Sequence, residues 1–512
     1  MSLIPSSDRT FVRAVSELAY ANPFLPQRIE LERQALGDAF DADDADWNVR
    51  VTDGAEPRNP LRIMERAEPL LASLRDRLVQ GRAASDADLA LYEDLALFVL
   101  FHRWLERFDA WIHQSLAGRT LDAARDFNRF EAQARELLEV MPVQSDLGGD
   151  LQHLFACLFQ VRRAFHHIGT GLVGVARPMI ELRAAIWQSI FTRDMRRYRR
   201  GLYSRMAEIA TLITGPSGTG KELVARAIAL SRYIPFDGRR FEQDFAAALF
   251  PVNLAALSPT LIESELFGHA RGAFTGATGD RAGWLEACPP LGAVFLDEIG
   301  ELDPGLQVKL LRVLQERTFT RLGETTARAF AGKIVAATNR DLAAHMQAGE
   351  FRADFYYRLC SDIVRTPALA EQVAAEPATL AMLVAHIARQ VAGEREADPL
   401  ADEVLTWVDE QLGSAYAWPG NVRELEQCVR NVMIRGRYTP TPATPVPTCD
   451  GAADGWLARV EAGELSADEL LRCYCTHLYA RLGQYEAVAR RLGVDRRTVR
   501  ARIDHDLLAR LR

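Results

Sequence analysis

The run ATLITGPSGTGKE (210–222) constrains this chain more than any other segment. It joins a short β-branched stretch to the helical pattern ELVARAIAL through Gly215-x4-Gly220-Lys221, and that strand-before, helix-after setting makes the spacing informative. Glycines here let successive backbone N–H groups point inward at phosphate oxygens, while the helix N-terminus adds its dipole and the lysine a mobile charge. A phosphate-binding loop over Gly215, Pro216, Ser217, Gly218, Thr219, Gly220, Lys221 and Glu222 is expected, and with it an α/β core. Lysine is otherwise scarce: of 61 basic residues only Lys221, Lys309 and Lys333 are lysine, so the one in the loop does not reflect abundance. Glu222 stands where the general motif has a Mg2+-binding Ser or Thr, which shifts metal binding to a later carboxylate. GAVFLDEIGE (292–301) offers one, an apolar strand delivering Asp297 and Glu298 at its C-terminal end. Asp297 is the expected Mg2+ ligand, through water, and Glu298 the group that orients and deprotonates an attacking water. Two acids after a strand can also cap a helix; the upstream loop favours hydrolysis.

The 512 residues suffice for about three domains. At 48% hydrophobic and 25% charged they suit a soluble globular chain and exclude collagen, a disordered tail or a disulfide miniprotein. No apolar run reaches the roughly 18 residues of a membrane span, and MSLIPSSDRT lacks the character of a signal peptide, so a cytoplasmic chain without membrane contact is expected. Seven scattered cysteines, an odd number with no CxxC pair, read as reduced thiols. A net charge of −8 does not advertise nucleic-acid binding, so any DNA contact requires a local basic patch.

From about 10 to 167 apolar residues recur at spacings of three and four, as in DLALYEDLALFVLFHRWLERFDAWIHQSL (88–116) and DLQHLFACLFQVRRAFHHI (150–168). An all-α N-terminal domain is expected over 1–168, with the acidic DAFDADDADW (38–47) as a solvated loop. Its histidines (102, 113, 153, 166, 167) could line a ligand or haem pocket, but on helices at such spacings they are more simply packed or solvated. After GTGLVG (169–174) the character changes to alternating strand and helix patterns. The expected order is an α/β core over 171–362, a helical lid over 363–437, a proline- and threonine-rich linker over 438–455 and a helical end over 456–512.

Within that core, ESELFGHARGAFTGA (263–277) resembles the AAA+ activators of sigma-54 RNA polymerase, the bacterial enhancer-binding proteins. In that family the hexapeptide Gly272, Ala273, Phe274, Thr275, Gly276, Ala277 forms the tip of a loop engaging the sigma factor, and small residues around Phe274 suit presentation of one free aromatic to a partner. The resemblance runs from about Leu172 to Arg435 and again over the last 40 residues. Residue by residue it implies that Asn253 in PVNLAAL is a switch asparagine hydrogen-bonding Glu298, and that Asn339 in IVAATNRDL is sensor I. It also implies that Arg352 and Arg358 in FRADFYYRL are arginine fingers reaching a neighbouring subunit's γ-phosphate, and that Arg423 in WPGNVRELEQ is sensor II, contacting nucleotide from the lid. The implied protein is an ATP- and Mg2+-dependent ATPase assembled as a homo-oligomeric ring, hexamer or heptamer. Three segments depart from the family: MRRYRRGLYSRM (195–206) and SRYIPFDGRRFEQDFAAALFP (231–251) are extra length, and SDIVRTPALAEQVAAEP (361–377) lacks the usual proline- and arginine-rich lid start.

LGQYEAVARRLGVDRRTVRARI (482–503) reads as helix, short turn, helix, and resembles the Fis-type DNA-binding end of the same family. Seven arginines face two acids between 481 and 502, which supplies the basic patch missing from the whole-chain balance. Arg496, Arg497, Thr498 and Arg500 are the expected contacts to double-stranded DNA, over packing by Ala487, Val488, Leu492, Val494 and Val499. The combined expectation is a regulator that binds upstream DNA and uses ATP hydrolysis to remodel the sigma-54 RNA polymerase holoenzyme, with the helical N-terminal domain regulating the ATPase. Two alternatives stand beside it: a DNA-binding regulator whose ATPase is only an assembly switch, and a AAA+ chaperone.

Overall fold

The computed structural model describes residues 3–43, 58–119, 121, 123–140, 150–244, 249–256, 258–413, 416–440, 467–503 and 508. The acidic stretch beyond residue 43 and nearly all of the expected linker, with Cys449, lie outside the described residues. The chain divides into two compact units, Met1–Tyr438 and Thr439–Arg512.

The first unit opens with α1 (Arg9–Leu18), α2 (Gln27–Leu36), α3 (Arg58–Val79), α4 (Asp86–Arg103), α5 (Leu105–Leu116), α6 (Ala124–Leu138) and α7 (Leu151–Gly171). Side-chain caps set two of these starts: Ser85 accepts from the Asp88 N–H at α4 and Asp150 from the His153 N–H at α7. Trp104, Phe108, Trp111, Phe130, Phe155 and Phe159 fill the helical core with edge-to-face and tilted ring contacts. Two histidines bond back onto their own helices: Nδ1 of half-buried His102 and of exposed His113 each donates to a backbone carbonyl four residues back, at 2.8 Å. Burial pulls His102 down to about 4, which keeps it neutral.

α8 (Arg177–Phe191) and α9 (Met195–Arg200) lead into the sheet. The α/β region comprises β1 (Thr211–Thr214), α10 (Lys221–Leu230), β2 (Leu249–Asn253), α11 (Pro259–Phe267), α12 (Trp284–Ala287), β3 (Ala293–Asp297), α13 (Pro304–Glu316), β4 (Thr318–Phe319) and β5 (Arg328–Ala329), which pair antiparallel as a separate ribbon, β6 (Lys333–Thr338), α14 (Leu342–Gln347), α15 (Ala353–Leu359) and β7 (Asp362–Arg365). Five strands are parallel in the order β2-β3-β6-β1-β7. Alternation along them feeds two layers: Leu212, Val294, Leu296, Ile334 and Ala336 pack with α11, α13 and α15, whereas Ile213, Phe295, Val335, Ala337 and Val364 pack with α7, α8 and α10. The lid follows as α16 (Leu369–Ala375), α17 (Ala378–Ala392), α18 (Glu394–Gln411) and α19 (Asn421–Arg435), around Leu383, Val404, Trp418, Leu425 and Val429.

Both extra segments turn inward to the helical region. Arg196 in α9 pairs with Asp94 at 2.7 Å and lies 4.0 Å from the Tyr20 ring centroid, while Tyr198 OH accepts from Gln160 at 2.6 Å. In the segment from 231, Ile234 and Phe236 are buried in the helical core, with Phe236 5.0 Å from Phe155 and Phe241 5.1 Å from Phe159. The second unit contains α20 (Ala467–Leu482), α21 (Tyr485–Leu492) and α22 (Arg496–Ala501), packed around Cys475, Leu478, Val488, Ala489 and Val499. Among the described residues no helix is long and apolar enough to cross a membrane, and Cys157, Cys288, Cys360, Cys428, Cys473 and Cys475 are thiols.

Candidate nucleotide-hydrolysis site and partner loop

β1 ends at Thr214, and the next six residues turn the chain into α10 through three glycines of positive φ: Gly215 at 147°, Gly218 at 77° and Gly220 at 85°. Two of them are also steric requirements. A Cβ on Gly215 would stand 2.1 Å from Thr366 Oγ1, and one on Gly218 2.3 Å from the Gly420 carbonyl oxygen. Lys221, at the start of α10, folds its Nζ over the loop and donates to the carbonyls of Gly215 at 3.1 Å and Pro216 at 3.2 Å. Burial lowers its pKa, against the opposing pull of Glu298 and Asp297.

Those acids stand at the C-terminal end of β3, separated from β1 by β6 in the same sheet. Asp297 Oδ1 accepts the Glu298 N–H at 3.1 Å, and burial raises the Asp297 pKa. Glu298 itself has φ 56° and ψ 50°, a left-handed conformation uncommon for a side-chain-bearing residue. Its carboxylate accepts the Asn339 N–H at 3.3 Å, bringing the end of β3 to the residue after β6. Asn253, at the end of β2 and in register with Asp297, does something else: its Oδ1 accepts the Ala255 N–H at 3.0 Å, an Asx turn within its own segment, in place of the expected bond to Glu298.

From the lid, Arg423 reaches the Ser217 hydroxyl at 3.3 Å. Two residues that the sequence reading did not single out hold this arrangement. Asn421 (φ 54°) donates from Nδ2 to the Ser217 carbonyl at 2.9 Å and accepts the buried Leu369 N–H at 2.8 Å, while the Val422 N–H bonds the Gly218 carbonyl at 3.1 Å. Thr366, just after β7, lies 2.7 Å from Thr219 Oγ1 and donates its own N–H to the Thr214 carbonyl. Asn421 is adjacent in sequence to the PG turn of WPGNVRELEQ, the one signal that could have found it. Arg352 forms a two-pronged pair with Asp354, at 3.1 and 2.8 Å, and Arg358 is exposed on the same helix, α15. The structure does not bring either arginine to the loop of its own chain by any hydrogen bond or ion pair among the described residues.

Between α11 and α12 the chain forms a hairpin-like loop. His269 and Arg281 exchange backbone hydrogen bonds at its base, and Gly272 N–H donates to the Ala277 carbonyl across its neck at 2.9 Å. Gly272 (φ 81°) and Gly276 (φ 103°) make the turns, leaving Thr275 exposed. Phe274 departs from the expectation of a free aromatic: its ring is half-buried, edge-on to His269 at 5.0 Å, because the tight neck folds it back on the base of the loop. Ala277 is buried and Ala273 sits against Gly323, where a Cβ would meet Ala273 Cβ at 2.9 Å.

In the second unit, Gly493 in the left-handed conformation ends α21, and Asp495 caps α22 by accepting the Arg497 N–H at 2.7 Å. Arg497 and Arg500 are exposed, Thr498 is half-buried, and Arg496 pairs with Glu486 at 2.9 Å.

The geometry suits Mg2+ with nucleotide. Among the described residues no three His, Cys, Asp or Glu side chains gather as a protein-only metal site. Mg2+ needs none, since it keeps waters and uses one or two carboxylates with substrate phosphates, and Asp297 with Glu222 near it offers those carboxylates.

Residues 192–364 match the family model described as the sigma-54 interaction domain. The Nif-specific regulatory protein of Azotobacter vinelandii is 44% identical over 223 residues, which are 44% of this chain and 39% of the relative. That of Herbaspirillum seropedicae is 40% identical over 269 residues, 52% of this chain and 43% of the relative. The transcriptional regulatory protein ZraR of Escherichia coli (strain K12) is 38% identical over 307 residues, 58% of this chain and 63% of the relative. The chain thus spans about half the length of the curated relatives it matches. Over residues 192–364 the chain is thus similar to the sigma-54 interaction domain, and over parts of its length to these regulators.

Proposed function

We propose that this chain is an ATP-hydrolysing activator of sigma-54 RNA polymerase that works as a homo-oligomeric ring and binds double-stranded DNA through its C-terminal helices. The observation that carries the reading is the hairpin over Gly272–Ala277, which holds Thr275 exposed on a braced stem inside the matched domain. A loop built to hold one residue outward suits contact with a partner.

The chemistry is assigned to this chain's own groups. Backbone N–H groups of the glycine loop and Lys221 Nζ bind the phosphates, and Arg423 and Asn421 close the lid over them. Glu298, oriented by the Asn339 N–H, takes a proton from the attacking water. Asp297 would hold Mg2+, which supplies charge neutralisation at the phosphate oxygens. Arg352 and Arg358 are exposed and, among the described residues, make no bond to their own loop, which suits service to a neighbouring subunit. Arg497 and Arg500, exposed on α22 with Arg496 and Thr498, form the proposed DNA face.

Replacing Glu298 with Ala tests the catalytic assignment. Hydrolysis should fall by about 100-fold or more, the usual scale for a general base, while nucleotide binding persists. Unchanged turnover would refute it.

A further inference from the structure

Lys333 is one of three lysines in the chain, and hydrolysis makes no use of it. It opens β6 at the edge of the sheet opposite Asp297, Glu298 and Asn339, which stand at the strands' C-terminal ends. The residue is 2% exposed, and its Nζ donates to the carbonyls of Ile209 at 2.7 Å and Met206 at 3.3 Å. An ammonium group has three donors, so one remains.

Lys333 lines a cavity of about 250 Å³ where α7, α9 and the end of α10 meet this edge, and Arg232, Gln160, Tyr203 and Tyr233 line it as well. Arg232 bonds the Gly292 carbonyl, and among the described residues neither it nor Lys333 has an ion-pair partner. The acid nearest in effect to Lys333, Asp362, already accepts from Ser189 at 2.5 Å and Thr211 at 2.9 Å. A buried lysine beside a half-buried arginine, neither with a carboxylate partner, is an expensive arrangement for structure alone. Gln160 adds an independent sign. It is 1% exposed, and its Nε2 donates to Tyr198 OH at 2.6 Å and to the Ser231 carbonyl at 2.9 Å. A carbonyl oxygen only accepts, so the amide cannot be turned over, and its Oε1 is buried with no hydrogen-bond partner.

We propose that this cavity binds a small organic carboxylate bearing a hydroxyl or amino group. The carboxylate accepts from Lys333 and Arg232 and the hydrocarbon lies against Ile190, Met206 and Pro235, while the hydroxyl or amino group donates to Gln160 Oε1 after the amide, which has less than 1 Å² of that oxygen open, shifts towards the cavity. Burial pulls Lys333 down to about 7 and Arg232 to about 10, and a bound carboxylate would favour the charged form of both. Because the walls come from α7 and from the ATPase sheet alike, the ligand would touch both regions. The inference goes beyond the sigma-54 reading and does not require it.

Calorimetric titration of the full-length protein with 4-hydroxybenzoate and 3-hydroxybutyrate, and with the neutral 4-hydroxybenzamide, tests the site. At least one carboxylate should bind at or below about 1 mM, and the amide about tenfold more weakly, as loss of a charge-assisted bond predicts. Lys333→Met should weaken carboxylate binding by about tenfold. Ala207→Phe, which fills the cavity from a half-buried position, should abolish it while ADP still raises the melting temperature. That second variant decides the matter if Lys333→Met does not fold. No binding of either carboxylate at about 10 mM, equal binding of the amide, or binding that survives Ala207→Phe would overturn the proposal.

Discussion

Glu298 spends conformational energy to stand where it does. A left-handed backbone at a residue with a side chain costs about 1 kcal/mol or more, and Glu298 is held there by the Asp297 carboxylate on its N–H and the Asn339 N–H on its own carboxylate. Lys333 carries a different cost, with a measurable sign. Burial brings its pKa from 10.5 to about 7, so between those values the unfolded chain holds a proton that the folded chain has released. Stability from this group is complete above 10.5 and is lost as pH falls towards 7. Denaturant melts of wild type minus Lys333→Met should therefore show a difference that grows with pH between about 7 and 9. A difference flat with pH would contradict the burial of that ammonium. At this scale the loop was legible in the sequence, because glycine spacing and a lysine following it lie within a few residues of each other. Asn421 and Thr366 were not, since their partners on the loop lie 204 and 147 positions away and neither residue type announces its contact.

Among the elements, α19 has the clearest task. Its first turn docks on the phosphate loop through Asn421, Val422 and Arg423, so the lid reads the loop's conformation by hydrogen bonds rather than by a broad apolar face. Asn421→Ala should leave the Leu369 N–H buried without its acceptor, at a cost of about 1–3 kcal/mol. Nucleotide affinity, measured by fluorescent-analogue titration, should drop by about tenfold with the rest of the fold intact, the scale of one lost polar contact. Affinity equal to wild type would show that the lid grips the loop without it. Strand and helix types in the α/β core followed from apolar alternation and from the position of each motif at a strand's end. The aromatic of the 272–277 hairpin did not, since the pattern of small residues gives no sign that Phe274 folds back onto His269.

Over the whole molecule, the two insertions change what the N-terminal helices are. A composition change near residue 169 suggests separate regions, yet Ile234 and Phe236 complete the helical core and Arg196 reaches back to Asp94. No local pattern could reveal this, because an apolar residue in a long loop carries no label for the core it joins. Helices α1–α7 and the sheet should therefore melt together. Differential scanning calorimetry with tryptophan fluorescence from Trp104 and Trp111 should give one transition for both, moved upward as a whole by ADP; a separate helical transition indifferent to ADP would contradict the shared core. The central claim concerns the exposed threonine and its partner. Full-length protein, ADP, a metal-fluoride phosphate mimic and purified sigma-54 should give a stable complex on a native gel, and Thr275→Ala should abolish that complex while keeping ATPase activity near wild type. No complex from a hydrolytically active wild type, or one that forms equally well without Thr275, would contradict the account.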